Sequence, residues 1–515
     1  MSTIQFQETK GSASEPLNRT FAARPVPRSP DRPLFPCQGL SISRITVYTC
    51  ATVCFLFTNM LGLAGNAIFF AAVAVLLVSS PSLALMGFSC AVLALTANIA
   101  FVPKSIVFTF SRVLSVAIFS ARFALTGDAA WVRSPPYIAL TIFCVVAAMC
   151  SIMSGYFTHI ALMKVLIFWS GMTGFFSFIA TIRRRKLDTT EWFVAQAAAV
   201  CVLNALALLL GVAQNFKGEN VSHGLYNLGL YHSQTTGPIS ALLMIYLTCV
   251  VLFAGHRNRW ICWPLLGFLA YCLLLTQSRT GAATLTISLS IVAFLALLFN
   301  SGRRSAIRLN YSRTLIGFCI AAVVIGGILF DLGSQGALTT RARSFLIKSR
   351  RDSESVSIDR ILSSRAALME QSLQNFRASP IVGIGFGVST NPNFQQTATV
   401  LYAPVEKGFL PTAILEEVGL LGTAAFIGFV LTMFVSLARA RNIPGLAMFA
   451  ALLILNLGEA GIFALGGHSA FMWLFVVGGI LLGDRCTTQL RLRHGNTGQI
   501  GHDSQPLFFQ AQPTQ

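Results

Sequence analysis

The sequence predicts an all-α, polytopic helical membrane protein with about 12–14 transmembrane helices, and three observations carry that prediction. Of the 515 residues, 54% are hydrophobic and only 11% are charged, with a mean hydropathy of +0.69. A soluble globular chain carries about 25% charged residues, so an ordinary water-soluble enzyme is excluded. Many separate windows reach the ~20 apolar residues that a spanning helix needs. Third, the 37 basic residues outnumber the 18 acidic ones and gather in short links between those windows. Cytoplasmic loops collect Lys and Arg in this way, so the net charge of +19 reads as membrane topology and not as nucleic-acid binding.

The first 40 residues contain six prolines and scattered charges with no apolar core before Ile42, so they read as a disordered cytoplasmic tail and not as a signal peptide. The membrane domain is expected over 41–483, with spans near 43–62, 64–81, 83–103, 105–122, 136–157, 161–182, 191–212, 237–255, 261–278, 281–300, 312–331, 409–437, 443–463 and 469–483. Residues 484–515 are polar and basic and read as a second disordered cytoplasmic tail. With both ends in the cytoplasm, the loops Arg183-Arg184-Arg185-Lys186, His256-Arg257-Asn258-Arg259, Arg303-Arg304 and Arg439-Ala440-Arg441 all fall inside. The long segment 332–408 is then external, which in a bacterial inner membrane is the periplasm.

The twelve cysteines form no short-spaced ladder, and many sit in apolar runs as small hydrophobes, so no disulfide framework and no metal site is expected. No P-loop, GxGxxG or HExxH element marks a nucleotide or metal cofactor. Energy for a reaction would come from the substrate itself or from an ion gradient.

Four features carry chemistry. From Arg341 to Arg377 the external segment holds eight basic residues, among them Arg360, Arg365 and Arg377, against four acidic ones. Such an excess suits either lipid headgroups or a multiply anionic ligand at the membrane face. The element Gln277-Ser278-Arg279-Thr280-Gly281 wedges a charge between two apolar runs. Arg279 can snorkel to the interface, or its planar fork can hold a phosphate in a cavity below it. Around Ser363-Ser364-Arg365 an amphipathic helix is expected to run on to Pro380, where Pro380-Ile381-Val382-Gly383-Ile384-Gly385-Phe386-Gly387 allows a tight backbone path close to a partner. Last, Glu406-Lys407-Gly408 leads into Leu415-Glu416-Glu417-Val418-Gly419-Leu420-Leu421-Gly422 at the start of a span. A carboxylate beside lipid is costly, so Glu416 or Glu417 is expected to face protein, a cavity or an arginine.

In this order, over about residues 191–437, the Ser-Arg-Thr, Ser-x-Arg, Pro-Ile-x-Gly-x-Gly-x-Gly and Leu-x-Glu-x-Gly-x-x-Gly elements resemble the superfamily of O-antigen ligases and Wzy-type polysaccharide polymerases. The resemblance implies a GT-C-like fold and a glycosyltransferase that needs no cofactor and takes its donor as an undecaprenyl-diphosphate-linked oligosaccharide. It matches Arg279 and Arg365 to the arginines that contact the diphosphate. In the ligases the last element opens with a histidine nine residues before its glutamate, and here Gly408 stands at that place before Glu417. This departure favours a polymerase that adds repeat units to a growing exopolysaccharide or O-antigen. Glu406, beside the missing histidine, is the first candidate for activating the acceptor hydroxyl, with His232, His468, Lys407, Glu416 and Glu417 as supporting candidates. Arg360 and Arg377 would broaden the diphosphate site. Transfer to lipid A-core or another acceptor is the second reading, and a non-enzymatic transporter of lipid-linked glycans is the third. The expected partners are the lipid-linked donor, a glycan acceptor, membrane lipids, and through the resemblance a flippase and a chain-length regulator, with no nucleic acid.

Overall fold

A computed structural model of the chain describes residues 40–97, 101–102, 106–126, 129–155, 157–212, 228–230, 233–254, 259–276, 278–300, 369–388, 409–458, 461–465 and 468–495. Among these, the fold is all α: α1 (Ile42–Phe57), α2 (Gly62–Val78), α3 (Pro81–Thr96), α4 (Ile106–Thr126), α5 (Pro135–Ser154), α6 (Thr158–Arg185), α7 (Thr190–Leu209), α8 (Ser233–Phe253), α9 (Cys262–Thr276), α10 (Arg279–Asn300), α11 (369–378), α12 (Leu410–Arg439), α13 (Ile443–Gly458) and α14 (His468–Gly495). No sheet occurs among the described residues, only an isolated antiparallel bridge between Ala97 and Leu230. Nine helical segments among the described residues are long and apolar enough to cross a membrane, and three shorter apolar helices accompany them. The protein is therefore a multi-pass membrane protein. The span expected at 312–331 lies outside the described residues.

The first long segment, Ile42–Val78, folds back on itself. Phe55 and Phe69 bring their ring centroids to 4.7 Å, whereas fourteen residues of straight helix would separate them by ~21 Å. The reversal falls at a 3₁₀ turn, Thr58–Leu61, followed by Gly62 with φ +68°, a conformation that a side chain would oppose. Elsewhere the helices start and stop on local signals. Ser80 caps α3 ahead of Pro81, two prolines open α5, and Gly155 in the left-handed conformation ends it.

The bundle has two chemically different ends. At one end, Arg183 at the end of α6 donates through Nε to Asp484 at 2.6 Å, and Asn442 donates to Asp484 at 3.1 Å and to the Ile480 carbonyl at 2.7 Å. Arg485 pairs with Asp188, the Cys486 thiol meets the Phe253 carbonyl, and Arg44 pairs with Glu191 at 3.2 Å. The links after α6 and α12 and the end of α8 thus share one end with residues 41–44 and 484–486. Arg303 and Arg304 lie outside the described residues.

The last helix, α14, runs on from its apolar part to Gly495. Asp484, Arg485 and Cys486 are tied to α6, the α6–α7 link, α8 and the α12–α13 turn, which holds the helix beyond its apolar run.

Between the ends, lipid offers helices no hydrophobic drive to associate, so close packing and small residues do that work. Gly174 on α6 faces α4 so closely that a Cβ would stand 2.7 Å from the Ser120 hydroxyl. Phe88 of α3 stacks on Phe119 of α4 with centroids 4.1 Å apart. A second aromatic cluster joins Phe143, Phe168, Phe386, Phe426 and Phe463 from five different segments. That cluster lies beneath the opposite end of the bundle.

Candidate active site

The opposite end is built around an interrupted helix. Within α12, Gly419 has φ +61° and ψ −164°, which no α-helix contains. An unbroken helix would bond the Leu420 amide to the Glu416 carbonyl and the Leu421 amide to the Glu417 carbonyl. Here Leu420 donates to Pro380 at 2.9 Å and Leu421 to Ile381 at 3.2 Å. The two released carbonyls accept from Ile384 at 2.8 Å and Gly385 at 2.9 Å. The glycine loop 380–387 therefore replaces two helical hydrogen bonds with four of its own, leaving these polar groups paired in a setting where an unpaired one costs several kcal/mol.

This close approach explains two of the glycines. A Cβ on Gly383, which has φ +69°, would lie 2.6 Å from the Glu416 carbonyl oxygen. A Cβ on Gly419 would lie 2.6 Å from the Val382 nitrogen. The tight backbone path expected from the alternating glycines has α12 itself as its partner.

Glu416 and Glu417 are 2% and 6% exposed, and both face protein. Glu416 accepts from the Ser372 hydroxyl at 2.7 Å and the Asn375 amide at 2.8 Å, so α11 is docked on it. Glu417 accepts from the Gly387 amide at 2.8 Å. The loop is further held by Ser151 of α5, which accepts from the Phe386 amide at 3.1 Å, and by Lys164 of α6, which donates to the Gly387 carbonyl. Ser151, Lys164, Ser372 and Asn375 were not singled out in the sequence. A single polar residue carries no local signal of its partner, which lies 235 and 223 positions away for Ser151 and Lys164 and 44 and 41 away for Ser372 and Asn375.

Arg279 occupies the first position of α10, half-buried, with Ser278 capping the helix by accepting from the Gly281 amide at 3.2 Å. A cation there opposes the positive end of the helix dipole by about 0.3–1 kcal/mol, so helix stability does not account for it. Two glycines from neighbouring helices form the walls of this corner. A Cβ on Gly237 of α8 would lie 2.7 Å from the Ser278 hydroxyl, and one on Gly458 of α13 would lie 2.8 Å from Thr280 Cβ. After α13, residues 461–465 continue to Phe463, which packs on Phe386 with centroids 5.0 Å apart. The arginine corner and the glycine loop are thus at the same end of the bundle.

Of the other expected site residues, Arg377 is exposed near the end of α11, and His468 begins α14. Arg360, Arg365, Glu406, Lys407 and His232 lie outside the described residues. No group of three or more His, Cys, Asp or Glu side chains suited to a metal occurs among the described residues.

The architecture defines a polytopic α-helical membrane protein with an arginine corner and a loop-bridged broken helix at one end. Residues 264–427, about a third of the chain, match the O-antigen ligase family Wzy_C, so the chain carries an O-antigen ligase domain, in keeping with the superfamily of Wzy-type polysaccharide polymerases. The match runs from α9 through the first half of α12 and includes Arg279, Arg365, the glycine loop and both glutamates. No curated protein matches the chain. The domain and the membrane architecture together support a Wzy-type glycan-transfer or ligase role in polysaccharide biosynthesis.

Proposed function

We propose that the protein is a GT-C-like polymerase that transfers glycan repeat units from undecaprenyl diphosphate to a sugar hydroxyl of a growing exopolysaccharide or O-antigen. The observation that carries this reading is Arg279, placed within the O-antigen ligase domain at the first turn of α10 and set among glycines from α8 and α13. A multiply charged anion there would meet both the guanidinium fork and the positive end of the helix. In the reaction, the acceptor oxygen bonds to the anomeric carbon, the bond from that carbon to the diphosphate oxygen breaks, and the acceptor proton passes to a base. Arg279 and Arg365 would stabilise the charge that grows on the leaving diphosphate, with Arg360 and Arg377 extending the anion site. Glu406 is the assigned base.

The basic links at the ionic end favour placing that end in the cytoplasm of a bacterial inner membrane, with both termini, and the arginine corner on the periplasmic face. An even number of crossings, twelve or fourteen when 312–331 is counted, would give that topology. The family description favours a second reading, transfer of a finished glycan to lipid A-core. The two separate in a reconstituted assay that offers lipid-linked repeat units and lipid A-core as alternative acceptors. The polymerase reading predicts that undecaprenyl diphosphate is released with the first acceptor alone. Release only with lipid A-core would replace it by the ligase reading, and release with neither would contradict both.

A further inference from the structure

The glycine loop is fixed from outside the O-antigen ligase domain. Gly387 is held by opposite charges, with its amide donating to the Glu417 carboxylate at 2.8 Å and its carbonyl accepting from the Lys164 ammonium. Its φ is +66°, and a Cβ at that position would lie 2.6 Å from Lys164 Cδ, so the lysine stem lies over the glycine. The preceding residue is pinned as well, through the Phe386 amide on the buried Ser151 hydroxyl and the Phe386 ring within the aromatic cluster. Ser151 and Lys164 belong to α5 and α6, well before the matched segment begins at 264.

A lysine within an apolar span has a cost that a surface lysine does not, and such residues mark function or an obligatory partner. The Gly387 carbonyl alone would be served by a serine or by water. A cation across one residue from a buried carboxylate does more. With Glu417 it holds both polar groups of Gly387, which fixes the direction in which Glu417 is held.

We infer that Lys164 is a positioning residue of the transfer reaction, acting through Gly387 to fix the Glu417 carboxylate and the end of the glycine loop. The inference rests on the glycan-transfer reading proposed above. It implies that helices α5 and α6 are part of the working site although they lie outside the domain.

The test compares the full-length protein with Lys164→Met and Lys164→Arg in proteoliposomes containing the lipid-linked repeat unit. The methionine keeps the stem and removes the charge, and the arginine keeps the charge and the donor. Lys164→Met is expected to lower kcat by about 100-fold, the scale of an ångström-sized misplacement, with the donor KM unchanged. Lys164→Arg is expected to recover at least half of the parent rate. Hydrogen exchange over 380–388 is expected to quicken in the methionine variant alone. A methionine variant with the parent kcat, or one whose loss follows only its loss of folded protein, overturns the inference while leaving the transfer reading intact. If Lys164→Met does not fold, the exchange and kcat of Lys164→Arg decide: parent-like exchange with at least half of the parent kcat upholds the role of the charge, and anything less overturns it. Absence of turnover by the parent protein overturns the transfer reading and this inference together.

Discussion

The Ile384 amide donates to the Glu416 carbonyl at 2.8 Å, in the place that the Leu420 amide would fill in an unbroken helix. From this one exchange follows the mutual dependence of the glycine loop and α12. Gly383→Ala and Gly419→Ala should each destabilise the protein, by about 1–3 kcal/mol from the left-handed backbone, with the contacts against Glu416 and Val382 adding to that loss. Thermal unfolding in detergent measures this, and a parent-like midpoint for either variant would contradict the exchange.

Glu416 joins α11 to α12 through two donors, Ser372 and Asn375. Glu416→Ala takes this acceptor from the buried Ser372 hydroxyl, at about 1–3 kcal/mol, and from the half-buried Asn375 amide. Glu416→Gln keeps one carbonyl oxygen and should lose less. Limited proteolysis around 369–378 should be fastest in the alanine variant, intermediate in the glutamine variant and slowest in the parent.

The corner that carries Arg279 depends on the absence of side chains at Gly237 and Gly458. Alanine at either position would push Ser278 or Thr280 away and rotate the first turn of α10. Turnover should fall by about 100-fold while the melting temperature falls only modestly. Arg279→Lys keeps the charge but not the fork, and should remain well below the parent rate. A fully active Arg279→Lys variant would show that charge alone is needed at this corner.

At the ionic end, Asp484 receives Arg183 and Asn442, and both members of the ion pair are largely buried, at 10% and 18% side-chain exposure. Removing one partner, as in Asp484→Leu, should cost toward the lower end of the about 3–5 kcal/mol seen when a buried pair is broken. The double variant Arg183→Met/Asp484→Leu should recover part of that loss. A double-mutant cycle on unfolding free energies reads the difference, and simple additivity would remove the coupling.

The membrane architecture was legible because lipid imposes one rule on every span, and windows such as 191–212 and 443–463 could be read from composition alone. Their helices, Thr190–Leu209 and Ile443–Gly458, start at the expected places. The paired basic links were legible for the same reason, since their charges cannot enter the bilayer core. The break in α12 was not legible, because Leu415 to Gly422 reads as a helix with two tolerated glycines until the loop that replaces its hydrogen bonds is in view. Arg279 stood out as a charge between apolar runs. Lys164 did not, although it too is a charge in an apolar run, because its role appears only beside Gly387.

In the proposed reaction this membrane protein lengthens a glycan at the expense of its polyprenyl diphosphate, with Arg279 stabilising the leaving group. The most direct measurement incubates the purified, reconstituted protein with undecaprenyl-diphosphate-linked repeat units and resolves product length on a gel, beside a folded Arg279→Ala variant. A ladder of increasing length from the parent, lost in Arg279→Ala, is the predicted result. Repeat units of unchanged length after incubation with folded, donor-binding parent protein, or an undiminished ladder from Arg279→Ala, would contradict it.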